Sequence, residues 1–327
     1  MSKLALTMAV SHYDHIVDIV RGRVPIEGIE LDCMQLPLHD IFQRTVGYAD
    51  FDIAEMSMAK YVSMRSQGDD RLIALPVFLS RVSRHSAIYV RKDRIKTAAD
   101  FVGKRVGVPE WAQTAAVYGR GVMAHELGVD LTKVKWVQAG LGEAGRAEKV
   151  PLKLPNGLEL TPVADRSLTE MLDKGDLDAV VAATPPNCFA SNPNVVRFYE
   201  NWLEAEVEYA RVKKILPIMH VLVVKKTVLD RAPWAAGNIF HAFDIARKNS
   251  IRRCEYLGAS VIPVPWLSEA VKRAKYAMGG DFWPYGLEAN RPTLDAFLQF
   301  AFEQGVCHRL LKPEEIFPEQ THHAVRV

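Results

Sequence analysis

The chain lacks most of the features that mark a specialised class. No stretch approaches the roughly 18 consecutive apolar residues of a membrane span. Basic residues barely outnumber acidic ones, 41 Lys plus Arg against 39 Asp plus Glu, for a formal charge of +2. The one-sided basic excess of a nucleic-acid binder is therefore missing. The four cysteines, Cys33, Cys188, Cys254 and Cys307, lie far apart with no Cys-x-x-Cys pair. That spacing excludes a disulfide framework and a cysteine zinc site, and predicts reduced thiols. No His-x-His or His-Glu-x-x-His occurs, and no repeat or low-complexity segment interrupts the chain. What is present is ordinary globular material: 327 residues, 49% hydrophobic and 24% charged, enough for two domains around a large core.

Strand and helix patterns alternate from the start. Leu4–Val10 is too short for the apolar core of a secretory signal and is predicted as a first strand, with Ser11 and Asp14 as a helix-capping signature after it. The fold is expected to begin at residue 3, and the protein is assigned to the cytoplasm. Strands are predicted at 28–32, 51–54, 72–75, 86–91, 105–108, 134–137, 178–182 and 218–224. Helices are predicted at 38–46, 58–64, 114–127, 167–172, 234–248, 267–278 and 293–304. This is the rhythm of a mainly parallel, doubly wound α/β sheet. Residues 140–162, rich in Gly, Pro and charge, are read as an excursion or hairpin rather than a linker.

Several segments carry a resemblance. Thr97–Pro109, with its Gly103-Lys104-Arg105 step into a strand, and Gly175-Asp176-Leu177-Asp178-Ala179 resemble the second lobe of type II periplasmic-binding-protein-like folds. More specific are Ser83–Val90, Pro109-Glu110-Trp111 with Thr114-Ala115, Leu216-Pro217-Ile218-Met219-His220, and Tyr285–Arg291. Together, over essentially the whole chain, they resemble the 4,5-dihydroxyphthalate decarboxylase family, cytoplasmic enzymes on this fold. One departure matters. The family pattern Pro-Glu-Tyr-Gln-Met-Thr-Ala is replaced here by Pro109-Glu110-Trp111-Ala112-Gln113-Thr114-Ala115, so a role of the family's Gln is not carried to Gln113.

The resemblance implies two lobes with a ligand cleft between them: residues 1–91 with 219–327 as a discontinuous first lobe, and 92–218 as the second. It implies decarboxylation of 4,5-dihydroxyphthalate to 3,4-dihydroxybenzoate (protocatechuate) and carbon dioxide, within phthalate degradation. The chemistry explains why no cofactor is expected. Each carboxylate is para to a hydroxyl, so the ring itself accepts the electrons once the carbon bearing the carboxylate is protonated. The protein must supply a proton donor, a partner for the phenol and cations for the remaining carboxylate. The expected partner is thus a small aromatic dicarboxylate, with no nucleic acid and no membrane, and the protein is expected to form a homo-oligomer.

Candidates exist for each task. Arg81 and Arg84 present forks that match carboxylates, the alternative being structural ion pairs near the hinge. Thr114 opens a helix whose N-terminus suits an anion, or simply caps it. Trp111 stands ready to stack on a ring, or to pack in the core. His220 lies in the apolar strand 218–222, where a lone histidine is more often structural; its hinge position and motif make it the first choice for proton transfer, with His12 and His85 next. His12 and His15, with Asp14, are the nearest approach to a metal pair, and no metal is expected. Glu55 and Ser57 follow a strand whose loop opens on the cleft. Asp281, Trp283, Tyr285, Glu288 and Arg291 either border the site or form a structural clamp. Two other classes share the fold: a solute-binding protein for an aromatic carboxylate, and a different small-molecule enzyme.

Overall fold

The computed structural model describes residues 3–321. In chain order the strands are β1 (Leu4–Val10), β2 (Ile29–Gln35), β3 (Ile53–Ser57), β4 (Leu72–Arg81), β5 (Ile88–Arg91) and β6 (Arg105–Val108). They continue as β7 (Lys135–Gln138), β8 (Glu159–Pro162), β9 (Ala179–Val181), β10 (Val195–Arg197) and β11 (Ile218–Lys225). They form two mixed sheets rather than one doubly wound sheet: five strands in the order β2-β1-β3-β11-β4, and six in the order β10-β5-β9-β6-β7-β8. The architecture is two-lobed α/β.

The chain crosses between the sheets twice. Residues 82–87 lead from β4 to β5, and residues 214–217 lead back into β11. β5 pairs antiparallel with β9 and β10, so the boundary expected at residue 91 moves to the loop ahead of β5. β11 inserts antiparallel between β3 and β4. β4 runs on to Arg81, well past the expected 72–75, because Pro76 does not end it. As the edge strand β4 needs no donor on its open side, and a break in register falls between the Leu75 and Phe78 pairings.

Packing follows the period-2 pattern. In β9, Ala179 and Val181 face the main core, whereas Val180 joins a smaller cluster with Val137, Leu168, Met171 and Leu177. The helix Thr114–His125 is the element that sets the second half against the first. Gly119 lets it lie on Val181, and Gly121 lets it meet Phe300 of the helix Arg291–Glu303; a Cβ at either would clash. Tyr118 stacks on Phe297 with centroids 4.8 Å apart, and its hydroxyl takes the Ile218 N–H at 3.2 Å. One continuous core therefore spans both sheets and pins the start of β11.

Several segments went unassigned in the sequence, the short helices Lys226–Arg231 and Pro313–Ile316 among them. β8 is largely exposed and β10 is three residues long. The helix Trp202–Lys213 buries only Tyr209 and Ala210, too few positions to impose a helical period.

Candidate active site

The ends of β1, β3 and β11 bring three side chains together. Glu55 and Ser57 alternate onto one face of β3, and the register of β11 sets His220 opposite Ser57 and Ser80. The Glu55 carboxylate is completely enclosed. It accepts the Ser11 N–H at 2.9 Å, the Tyr13 hydroxyl at 2.5 Å and His220 Nδ1 at 2.6 Å. A carboxylate only accepts, so His220 carries its proton on Nδ1 and leaves Nε2 as the working nitrogen. Burial, and then the negative charge of Glu55, push the Tyr13 phenol far above its usual range, so it stays a donor. Phe42 meets the imidazole edge-on at 4.9 Å. The His220 side chain is 15% exposed, a narrow opening beside an otherwise dry dyad.

The second lobe reaches this edge through Thr114. Its hydroxyl lies 2.9 Å from Ser57 Oγ and accepts the Ala59 N–H at 3.0 Å. Thr114 is thus the first helical residue rather than the cap, which is Gln113. Beside it a buried ion cluster ties the halves. Lys60 Nζ lies 2.6 Å from Glu110 Oε2, and Arg146 Nε lies 2.6 Å from Oε1.

The two arginines part company. Arg81 donates to Leu216 O at 3.0 Å, to Pro284 O at 2.7 Å and to Asn290 Oδ1, so its fork already clamps the hinge. Arg84 donates to Ala183 O at 3.0 Å, but its Nε and Nη2 face only the Met219 sulfur, at 3.2 and 2.9 Å. Burial pushes both guanidinium groups down to about 10, and both remain cations.

The other expected residues divide in the same way. His12 is exposed in the loop after β1, with no partner among the described residues. His85 is 4% exposed between the rings of Tyr199 and Tyr209, and burial pushes it down to about 4, so it is a neutral core residue. Trp111 is wholly enclosed, with Trp136 edge-on at 5.3 Å and Arg120 3.6 Å over its ring; it offers no face to a ligand. Asp14 pairs with Arg253 at 3.0 Å and Ser250 Oγ at 2.6 Å, while His15 turns toward Tyr13 and Trp283. Ser11 and Asp14 therefore do not cap a helix, and His12, Asp14 and His15 diverge. Among the described residues no group of three His, Cys, Asp or Glu side chains is placed to hold a metal.

The stretch 281–291 is a clamp. Asp281 pairs with Arg247 at 2.7 Å, Tyr285 lies under that guanidinium, and Arg291 joins Glu288 and Glu314 at 2.6 Å each. Glu288 is consequently committed to this network rather than to the dyad. Tyr13 and Ser11 were missed as site residues. Their only signal was adjacency to His12, and it was absorbed by the reading of a helix cap.

No protein-family model matches the chain. The chain is 37% identical over 320 residues to a 4,5-dihydroxyphthalate decarboxylase from Comamonas testosteroni, covering 97% of each chain. It is 41% identical over 205 residues to a 4,5-dihydroxyphthalate decarboxylase from Pseudomonas putida, covering 62% of this chain and 79% of the other. Among solved structures, the periplasmic aliphatic sulphonate binding protein SsuA from Escherichia coli matches with TM-score 0.55 at 12% identity, over 98% of this chain and 99% of that one. A periplasmic sulfonate-binding protein SsuA from Methylobacillus flagellatus matches with TM-score 0.53 at 10% identity, over 98% and 93%. At those identities the likeness concerns the fold alone, which is periplasmic-binding-protein-like.

Proposed function

The chain belongs to the 4,5-dihydroxyphthalate decarboxylase family, and from that membership we propose that its interlobe site converts 4,5-dihydroxyphthalate to 3,4-dihydroxybenzoate and carbon dioxide. It is a carboxy-lyase. The observation that carries the reading is the enclosed Glu55 carboxylate, 2.6 Å from the imidazole of the partly exposed His220.

The reaction needs a proton delivered to carbon. With the phenol para to the leaving carboxylate ionised, the ring carbon takes a proton from the His220 imidazolium. The bond to the carboxylate then breaks, its electron pair returns through the ring to the phenolate oxygen, and carbon dioxide departs. His220 regains its proton from solvent, so each turnover consumes one. Glu55 orients the ring nitrogens and offsets the imidazolium charge, and Tyr13 and Ser11 hold Glu55 in place. His12, exposed in the same loop, is assigned the exchange of the phenolic proton. Ser57 and Thr114 offer hydroxyls at the lobe junction, and Arg84 holds a carboxylate.

The four cysteines are free thiols, which supports a reducing, cytoplasmic setting. Tyr256, Leu257, Trp266 and Tyr276, large apolar side chains exposed within a span of 21 residues, support assembly of several copies. Incubation of the purified protein with 4,5-dihydroxyphthalate, followed by chromatography, should yield 3,4-dihydroxybenzoate and carbon dioxide in equal amounts. Tight binding of the phthalate with no product would replace this reading by that of a solute-binding protein.

A further inference from the structure

We propose that Arg84 determines why the reaction stops after one carboxylate is lost, and that it makes the product a competitive inhibitor held in an unproductive orientation. The inference rests on the decarboxylase reading above. Its starting point is chemical. The product 3,4-dihydroxybenzoate still carries a carboxylate para to a hydroxyl, so its ring is activated in the same way as the substrate's. Electronics alone does not spare it; recognition must.

The buried cations show what recognition is possible. Lys60 and Arg247 are paired with carboxylates, and Arg81 is engaged by three oxygens at the hinge. Arg120 is sealed between Trp111, Trp136 and Gln304. Arg91 takes the carbonyls of Leu172 and Asp173 and pairs with Asp93. Arg84 differs from all of these. It is 8% exposed, has no carboxylate within ion-pair distance among the described residues, Glu206 acting on it only from farther off while accepting from Ser86, and directs Nε and Nη2 at a thioether. Sulfur is a weak acceptor, and those two N–H groups form one edge of the guanidinium fork that a carboxylate fits with two parallel bonds. The sulfur belongs to Met219, the residue before His220 on β11, and the third bond of Arg84 reaches Ala183 beyond β9 of the other lobe. One spectator carboxylate takes this edge at the hinge by displacing the Met219 sulfur, a weaker acceptor, from it.

The stop follows from the ring. In the substrate the two carboxylates are on adjacent carbons, so anchoring one on Arg84 presents the carbon bearing the other to His220. In the product the only carboxylate occupies Arg84, and the carbon turned to His220 already carries hydrogen. The ortho arrangement of the phthalate thus supplies one group to anchor and its neighbour to lose. Symmetry makes the two choices equivalent.

The test compares wild type, Arg84→Lys and Arg84→Met, with melting curves for each. Wild type should be inhibited competitively by 3,4-dihydroxybenzoate and should form no 1,2-dihydroxybenzene from it. Losing the charged partner in Arg84→Met should raise KM for the phthalate and Ki for 3,4-dihydroxybenzoate together, by roughly 30-fold or more. Inhibition by 1,2-dihydroxybenzene, which has no carboxylate, should stay unchanged. Arg84→Lys should fall between the two, and it carries the comparison if Arg84→Met does not fold. An unchanged product Ki in a folded variant, or conversion of 3,4-dihydroxybenzoate by wild type, overturns the proposal. Failure of the decarboxylase reading is distinguishable, since wild type would then form no 3,4-dihydroxybenzoate from the phthalate at all.

Discussion

Substituting Lys60 by Met should destabilise the protein by about 3 kcal/mol, at the lower end of the cost of leaving a buried charge without its partner. Glu110 is fully buried and Lys60 nearly so, and their atoms approach to 2.6 Å across the junction of the two sheets. The low end applies because Arg146, with its side chain 39% exposed, still holds the other carboxylate oxygen. Glu110→Leu should cost a similar amount, since it strands the Lys60 ammonium instead. The double variant Lys60→Met/Glu110→Leu should return to within about 1 kcal/mol of wild type, because a buried pair replaced by apolar groups of similar volume is close to neutral. Urea unfolding followed by two probes, with unchanged slopes, measures all four corners of the cycle. Two simply additive losses would refute the argument, as would a loss below about 0.5 kcal/mol for Lys60→Met. The pH dependence has a definite sign. Burial opposes the charge on Glu110, but Lys60 and Arg146 outweigh it and hold the carboxyl below its usual range. Its contribution is present above the unfolded carboxyl range and is lost as pH falls through the lowered value. The gap between wild type and Glu110→Leu should therefore narrow in acid.

Three further outcomes are expected. His220→Gln should lower kcat by about 100-fold or more with binding little affected, because the lost interaction belongs to proton transfer; a folded variant with near-normal kcat would remove His220 from the mechanism. Burial pushes His15 and His85 down to about 4, so each favours the folded state by up to about 3 kcal/mol above pH 6.5, and that contribution is lost as pH falls from about 6.5 to 4. His85→Phe should flatten the fall in melting temperature over that window, and an unaltered slope would contradict it. Exhaustive chelation should leave turnover intact, since Asp14 is engaged by Arg253 and His15 is turned inward; activity lost to chelator and restored by one divalent ion would contradict this.

The sequence by itself determined the class of the molecule. Local periodicity marked nearly every buried strand, from Leu4–Val10 to Ile218–Val224, because a strand or helix writes its period into neighbouring residues. Motifs spread over the chain identified the family, and with it the reaction and the two-lobed fold. His220 and Glu55 were both visible as candidates. Their partnership was not, since they stand 165 residues apart and meet only because β11 inserts antiparallel beside β3. Tertiary structure alone decided which charged groups remain available. Arg81 and Arg84 look alike in sequence, yet one is engaged by hinge carbonyls and Asn290 while the other faces a thioether. Trp111 and His85 went to the core by the same rule. A side chain's chemistry is set by its type, but its free valences are set by whatever the rest of the chain packs against it, and that information is not local.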